Sequence, residues 1–156
     1  MTILVRDLRS EDAKDFHALA VLSHREQAQS GALEADDAAG YVRHLTELHD
    51  SGAGCLLVAL SDARLAGFVC VLAPEGISSG AAAGAYAFMS DLFVIPEYRR
   101  RGIGRQLNAG AEERARELGA ERLALRVNAV NATARRFYAR FSYQESFVVM
   151  SKVLLP

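Results

Sequence analysis

The chain has 156 residues, of which 51% are hydrophobic and 24% charged, and its net charge is only −1. That length makes one domain, residues 1–156, able to bury a core without disulfides or metals. The composition is that of a soluble globular protein, no run reaches the length of a membrane span, and from the strand-like then acidic opening Met1–Asp12 no secretory signal is expected.

Ile3–Leu8 is predicted as a first strand. Ser10 then caps a helix, with Glu11 and Asp12 in its first turn, Phe16, Leu19, Ala20 and Ser23 on one face, and Gly31 as its stop. A second helix carries Tyr41, Leu45 and Leu48 at helical spacing. The apolar runs Cys55–Leu60 and Leu65–Leu72, joined by Ser61-Asp62-Ala63-Arg64, predict an antiparallel hairpin. Residues 74–84, rich in Gly, Ala and Ser, predict a mobile loop. Tyr86–Ile95 is a strand ended by Pro96. The helix from Gly102 buries Ile103, Leu107, Ala111, Ala115 and Leu118 and stops at Gly119. Arg122–Val127 is a strand, Asn131 caps a helix with Ala134, Phe137, Tyr138 and Phe141 on one face, and Phe147–Leu154 is a final strand. This order predicts an α/β (α+β) fold: a mixed, mostly antiparallel central sheet with helices on both faces.

Charge is unevenly spread. Residues 1–50 hold five Lys/Arg against ten Asp/Glu, whereas residues 97–140 hold eleven Arg against five Glu. The basic part contains the most informative segment, Arg99-Arg100-Arg101-Gly102-Ile103-Gly104, between an apolar strand and an amphipathic helix. A helix start presents unpaired N–H groups and the positive end of the macrodipole, and glycines let that backbone approach a ligand. The pattern predicts a bound phosphate or pyrophosphate. It is neither a Walker loop, since Arg105-Gln106 follows Gly104, nor a dinucleotide fingerprint, since Leu107 stands where a third glycine is needed. A nucleic-acid patch would account for the arginines but leave the glycines and the strand unexplained, so no nucleic-acid partner is expected.

The remaining candidates carry less. His17, His24, His44 and His49 are expected at the surface or rim and show no metal spacing, so no metal is expected. Cys55 and Cys70, in apolar runs, are expected to be reduced core residues of a cytoplasmic protein. Neither follows a basic helix start that would lower its pKa, so a covalent acyl-enzyme route is not expected.

Strand, Arg-Gly loop, helix, strand and then Asn131-x-x-Ala134-x-x-Phe137-Tyr138 resembles the GNAT superfamily of acetyl-CoA-dependent N-acetyltransferases. The matching core runs from about Ser90 to Glu145, and Val5-Arg6-Asp7-Leu8-Arg9-Ser10-Glu11-Asp12 is similar to the family's opening. The resemblance implies acetyl-CoA as co-substrate and direct transfer of acetyl to an amine through a tetrahedral intermediate. It implies that Arg99-x-x-Gly102-x-Gly104 wraps the pyrophosphate, with N–H groups from Arg101 through Ile103 and Gly104 to Arg105. Backbone near Phe93 and Val94 would pair with the pantetheine arm, and an N–H at Val94 or Ile95 would polarise the thioester carbonyl. Asn131 and Phe137 would meet the arm, Arg140 the outer phosphate, and Tyr138 would protonate the departing thiolate. A free tyrosine titrates near 10 and a thiol near 8.5, so Tyr138 keeps its proton for that step.

Two departures stand out. Ser142-Tyr143 replaces the Gly-Phe usual after this helix, and the glutamate that many relatives place before the loop is missing from Phe88-Met89-Ser90-Asp91. Asp91 is the one carboxylate there; it serves as base, or water relays the proton to another acid. The acceptor is a small-molecule amine or a peptide or protein amine, and dimers are frequent in the family, for which the apolar final strand offers an edge. The rival readings are a non-catalytic CoA-binding sensor and an Arg-rich nucleic-acid-binding module.

Overall fold

The structure, a computed structural model, describes residues 1–29, 37–74, 86–146 and 148–154. The chain divides into two units, residues 1–126 and 127–156, taken in turn. In the first, β1 (Ile3–Asp7), β2 (Gly54–Ser61), β3 (Arg64–Leu72), β4 (Tyr86–Val94) and β5 (Arg122–Leu125) form one sheet in sequence order. Pairing is antiparallel up to β4 and parallel between β4 and β5. The helices of this unit are α1 (Ala13–Gln29), α2 (Ala38–Asp50) and α3 (Ile103–Glu117). The mixed, mostly antiparallel sheet agrees with the expectation from sequence.

Alternation along the strands assigns the two faces. Leu56 and Val58 of β2, Phe68 and Cys70 of β3 and Phe93 of β4 join Phe16, Leu19, Ala20, Val42 and Leu45 of α1 and α2 in one core. Phe16 meets Phe68 edge-on, with ring centroids 5.3 Å apart. The other face carries α3, whose Ile103, Leu107, Ala111 and Ala115 are buried as the stripe predicts; Leu118, past the last turn, is exposed. A side chain at Gly67 would lie 2.5 Å from the Phe93 carbonyl oxygen and 3.1 Å from Leu107 Cδ1, so α3 lies close against the sheet there.

The hairpin turns through Asp62 and Ala63, at φ 48° and 67°. Two successive left-handed residues match the twist of paired strands, which is why so short a turn suffices. At the start of α1, Ser10 is not the cap expected of it: it lies inside a 3-10 turn, Ser10–Asp12, whose N-cap is Arg9, and Asp12 Oδ2 reaches back to accept from the Arg9 N–H at 2.9 Å. Arg6 grips the same carboxylate through Nη1 at 2.6 Å and Nη2 at 2.9 Å, holding it below the usual carboxylate range. Gly31 and the loop at 75–84 lie outside the described residues.

In the second unit, α4 (Ala132–Ala139) is capped by Asn131, whose Oδ1 accepts from the Ala134 N–H at 3.0 Å. The expected final strand is not present: residues 148–154 carry no regular pairing, Phe147 lies outside the described residues, and Val148, Val149, Met150, Val153 and Leu154 are exposed. β-propensity alone makes no strand, because its N–H and C=O groups need a neighbouring ladder. The preceding strand, β5, is also shorter than expected and ends at Leu125 instead of Val127.

Ser142 follows α4 at φ 65°, so it adopts the left-handed turn without a glycine's freedom. For an L residue that conformation costs roughly 1–2 kcal/mol. Ser142→Gly is therefore expected to raise stability by about 1 kcal/mol, a rise in melting temperature of roughly 2–4 °C for a domain of this size. Calorimetry reads this directly, and an unchanged or lower transition would show that the turn carries no strain.

Candidate active site

The site begins where β4 leaves β5. β4 pairs with β3 along most of its length, but its parallel register with β5 covers only Tyr86–Met89 against Arg122–Leu125. From Ser90 to Val94 one edge of β4 therefore has no strand beside it among the described residues. The Ile95 N–H donates to Ala66 O at 2.9 Å, toward β3. Successive peptide groups alternate along a strand, so those of Val94 point the other way, to the open edge. Arg99 agrees with this, its Nε donating to Val94 O at 2.8 Å. Of the two candidate carbonyl-polarising donors, Ile95 is spent within the sheet and Val94 is left.

After Pro96–Tyr98 the chain reverses through Arg100 at φ 63° and Gly102 at φ 86°. Gly102 is the N-cap of α3, no side chain caps that end, and no acidic residue sits in the first turn. An added Cβ at Gly102 would have no atom within 4 Å, so the backbone is uncovered just where the macrodipole is positive. The N–H groups of Ile103, Gly104 and Arg105 belong to this turn, although the Ile103 side chain is buried beneath it. Uncapped backbone N–H groups clustered in this way are the kind of arrangement that suits an anion.

The three arginines divide their work. Arg99 turns back to α1, pairing through Nη2 with Glu26 Oε2 at 2.6 Å and lying 5.7 Å from the Phe93 ring centroid. It is a strut between β4 and α1. Arg101 lies 5.4 Å from the Tyr98 ring centroid, and Arg100, Arg101 and Arg105 are exposed. Their charge is available to an anion at the start of α3.

Asp91 sits beside a β-bulge. Met89 pairs with Val71 and Asp91 with Cys70, which leaves Ser90 as the extra residue. Asp91 Oδ1 accepts from the Tyr41 hydroxyl at 2.5 Å and Gln27 Nε2 at 3.3 Å, while Oδ2 accepts from Ser90 Oγ at 2.7 Å. Gln27 Nε2 also donates to Tyr41 Oη at 3.2 Å and to Ser23 Oγ at 3.1 Å. Burial first, and then the Asp91 charge, push the Tyr41 hydroxyl well above its usual titration range, so it stays a donor. His24, expected at the rim, is buried instead, its ring 5.2 Å from that of Tyr41 and its Nδ1 without a hydrogen-bond partner among the described residues. His49 Nδ1 accepts from the Leu56 N–H at 3.1 Å, whereas His17 and His44 are exposed.

Ser23, His24, Gln27 and Tyr41 were not singled out as site residues from sequence. The signal available was a polar i, i+4 pair, Ser23 and Gln27, on the otherwise apolar side of α1. Both cysteines are free, and burial pushes the Cys55 thiol up to about 11 and that of Cys70 to about 12. Neither supplies a thiolate nucleophile at neutral pH. No group of three or more His, Cys, Asp or Glu able to hold a metal occurs among the described residues, and no described helix is long and apolar enough to cross a membrane. A shallow groove of about 460 Å³ between β1 and α3, lined by Arg6, Asp7, Gln106, Glu113 and Arg114 among others, contains none of the predicted site residues.

In the second unit the half-buried Tyr138 packs edge-on against Phe137 at 5.1 Å and Tyr143 at 5.4 Å, and Phe137 against Phe141 at 5.0 Å. Asn131 spends its Oδ1 on the cap of α4, and Arg140 is exposed at the other end of that helix. Arg135 Nε donates to Glu145 Oε1 at 2.9 Å.

Similar proteins fit this geometry. An uncharacterised N-acetyltransferase of Bacillus subtilis (strain 168), YycN, is 41% identical over 68 residues, 44% of each chain. An aminoalkylphosphonate N-acetyltransferase of Salmonella typhimurium is 42% identical over 66 residues, 42% of this chain and 43% of that protein. The chain thus spans less than half the length of these two relatives. The structure of AAC(6')-Iy in complex with the bisubstrate analogue CoA-S-monomethyl-acetylneamine is 17% identical, with a TM-score of 0.75 over 99% of this chain and 100% of that one, which shows the shared fold. The model of the acetyltransferase (GNAT) family matches residues 10–143, so the strand that parts from its neighbour and the glycine-led helix behind it are those of a GNAT protein: the chain belongs to the GNAT acetyltransferase family.

Proposed function

We propose that the protein transfers the acetyl group of acetyl-CoA to a primary amine. The observation that carries this reading is the open edge of β4 running into the uncapped, glycine-led start of α3. A pantetheine arm needs strand-like backbone to bind along, and a pyrophosphate needs clustered N–H groups. Both are present in one continuous segment, Ser90–Arg105, so these residues fit the co-substrate.

Bound there, acetyl-CoA would supply an acetyl thioester that the amine attacks directly, through a tetrahedral intermediate. The Val94 N–H would stabilise the oxyanion, a role typically worth about 3–4 kcal/mol of barrier. N–H groups from Arg101 to Arg105 hold the pyrophosphate, and Phe93 shapes the floor of the edge from the core side. Asn131, Phe137 and Arg140 contact the arm and outer phosphate, and the Tyr138 hydroxyl hands its proton to the leaving sulfur. Asp91, within this segment, takes the proton that the incoming ammonium must lose to attack.

For the acceptor, the names of two similar proteins favour a small amine: one is an aminoalkylphosphonate N-acetyltransferase and the other was captured with an acetylneamine analogue. The deciding experiment measures thiol release from acetyl-CoA across 2-aminoethylphosphonate, neamine, spermidine and a short peptide with a free N-terminus. Amine-dependent release is expected with at least one. CoA binding with no release from any amine would make the protein a CoA-binding sensor instead.

A further inference from the structure

The polar cluster around Asp91 is larger than holding one strand requires. Ser23, His24 and Gln27 of α1, Tyr41 of α2 and Ser90 and Asp91 of β4 meet beside a core of Phe16, Leu19, Val42, Leu45 and Phe93. Apolar side chains would fill that space at less cost, because each buried polar atom must be matched by a partner. The network also has a direction. Among the described residues two donors, from Tyr41 and Gln27, converge on Oδ1, and Ser90, exposed at the bulge, contributes the one donor to Oδ2. Oδ2 is the carboxylate oxygen with room for another donor. It belongs to the second residue of the stretch, Ser90–Val94, along which β4 has no strand beside it among the described residues.

We propose that Tyr41, braced by Gln27 and by the His24 ring, is a positioning residue that locks Asp91 so that Oδ2 receives the ammonium group of the acceptor. The inference rests on the acetyl-transfer reading and narrows the acceptor to an amine that arrives as a cation. Asp91 contacts the substrate; Tyr41 acts only through Asp91. The buried Nδ1 of His24, without a partner among the described residues, fits a ring kept for its shape against Tyr41.

The test uses the full chain and whichever of the four amines is acetylated fastest. Asp91→Asn is expected to lower kcat/KM for the amine about a hundredfold, the scale of removing one member of a desolvated charge pair. Tyr41→Phe should lower it about tenfold, as befits one hydrogen bond to a charged group, with KM for acetyl-CoA unchanged. Gln27→Met should act in the same direction and less. The discriminating result is the double variant: Tyr41→Phe added to Asp91→Asn should cost nothing further, because a positioning residue has nothing left to position. Calorimetric titration of the same amine into the CoA-loaded protein should show the matching loss of affinity without any turnover. Additive effects in the double variant, or amine kinetics indifferent to Tyr41→Phe, would overturn the inference while leaving acetyl transfer intact. A wild-type protein that binds CoA yet acetylates no amine would overturn both.

Discussion

Gly102→Glu should abolish the thermal stabilisation that acetyl-CoA gives the wild-type protein. A ligand that binds only the folded state stabilises it by about 2.7 kcal/mol at a hundredfold excess over its dissociation constant, which for this size raises the melting temperature by roughly 5–10 °C. Gly102 sits at φ 86° at the head of α3, and a side chain there would project into open space, where the proposed function puts the pyrophosphate. A glutamate fills that space and sets a negative charge against the phosphates. It also strains the left-handed backbone by roughly 1–2 kcal/mol, lowering the melting temperature without ligand. Gly102→Ala separates the two effects: it shares the strain, lacks the charge, and should keep part of the ligand-induced shift. NAD and ATP should stabilise the wild type much less than CoA. A full acetyl-CoA shift in Gly102→Glu would place the CoA site elsewhere.

Tyr138→Phe should lower turnover at least tenfold while leaving the Michaelis constant for acetyl-CoA nearly unchanged. The ring contacts with Phe137 and Tyr143 are made by the aromatic face and edge, which phenylalanine keeps. The hydroxyl is lost, and general acid catalysis typically contributes about a hundredfold or more. The defect should persist at higher pH, since alkaline conditions deprotonate the amine and do nothing for the leaving sulfur. Single-turnover measurements establish whether chemistry limits the rate. Wild-type turnover under chemistry-limited conditions would leave Tyr138 as a packing aromatic.

The strands, the helix stripes and the Arg-Gly loop were legible because each is a local pattern. Ile103, Leu107, Ala111 and Ala115 announce one buried face by spacing alone, and the hairpin at Ser61–Arg64 is announced by its turn. What sequence could not convey depends on partners distant in the chain. Arg99 reads as a phosphate ligand from sequence, where nothing signals its pairing with Glu26, 73 residues away. His24 reads as a rim residue until the Tyr41 ring covers it. The Tyr41–Asp91 bond spans 50 residues and exists only because the bulge at Ser90 turns Asp91 toward α1 and α2. Residues 148–154 have the composition of a strand, and composition cannot supply the neighbour that a strand needs.

The bulge also makes β4 a strand with two parities. Ahead of it, Phe88 lies opposite Leu72 and Met89 opposite Val71, so odd-numbered residues look toward α3; beyond it, Asp91 opposite Cys70 and Phe93 opposite Phe68 look toward α1 and α2. Length and identity are therefore coupled at this one point. Drawing Ser90 into the ladder as an ordinary paired residue would demand that either the half anchored to β5 or the half leading into the loop exchange its inward and outward residues, and no single substitution could repair the exchange. Within this fold, Ser90 alone absorbs the change of parity: Met89 stays opposite Val71 and Asp91 opposite Cys70, each facing its own helical layer, because the extra residue stands outside the ladder.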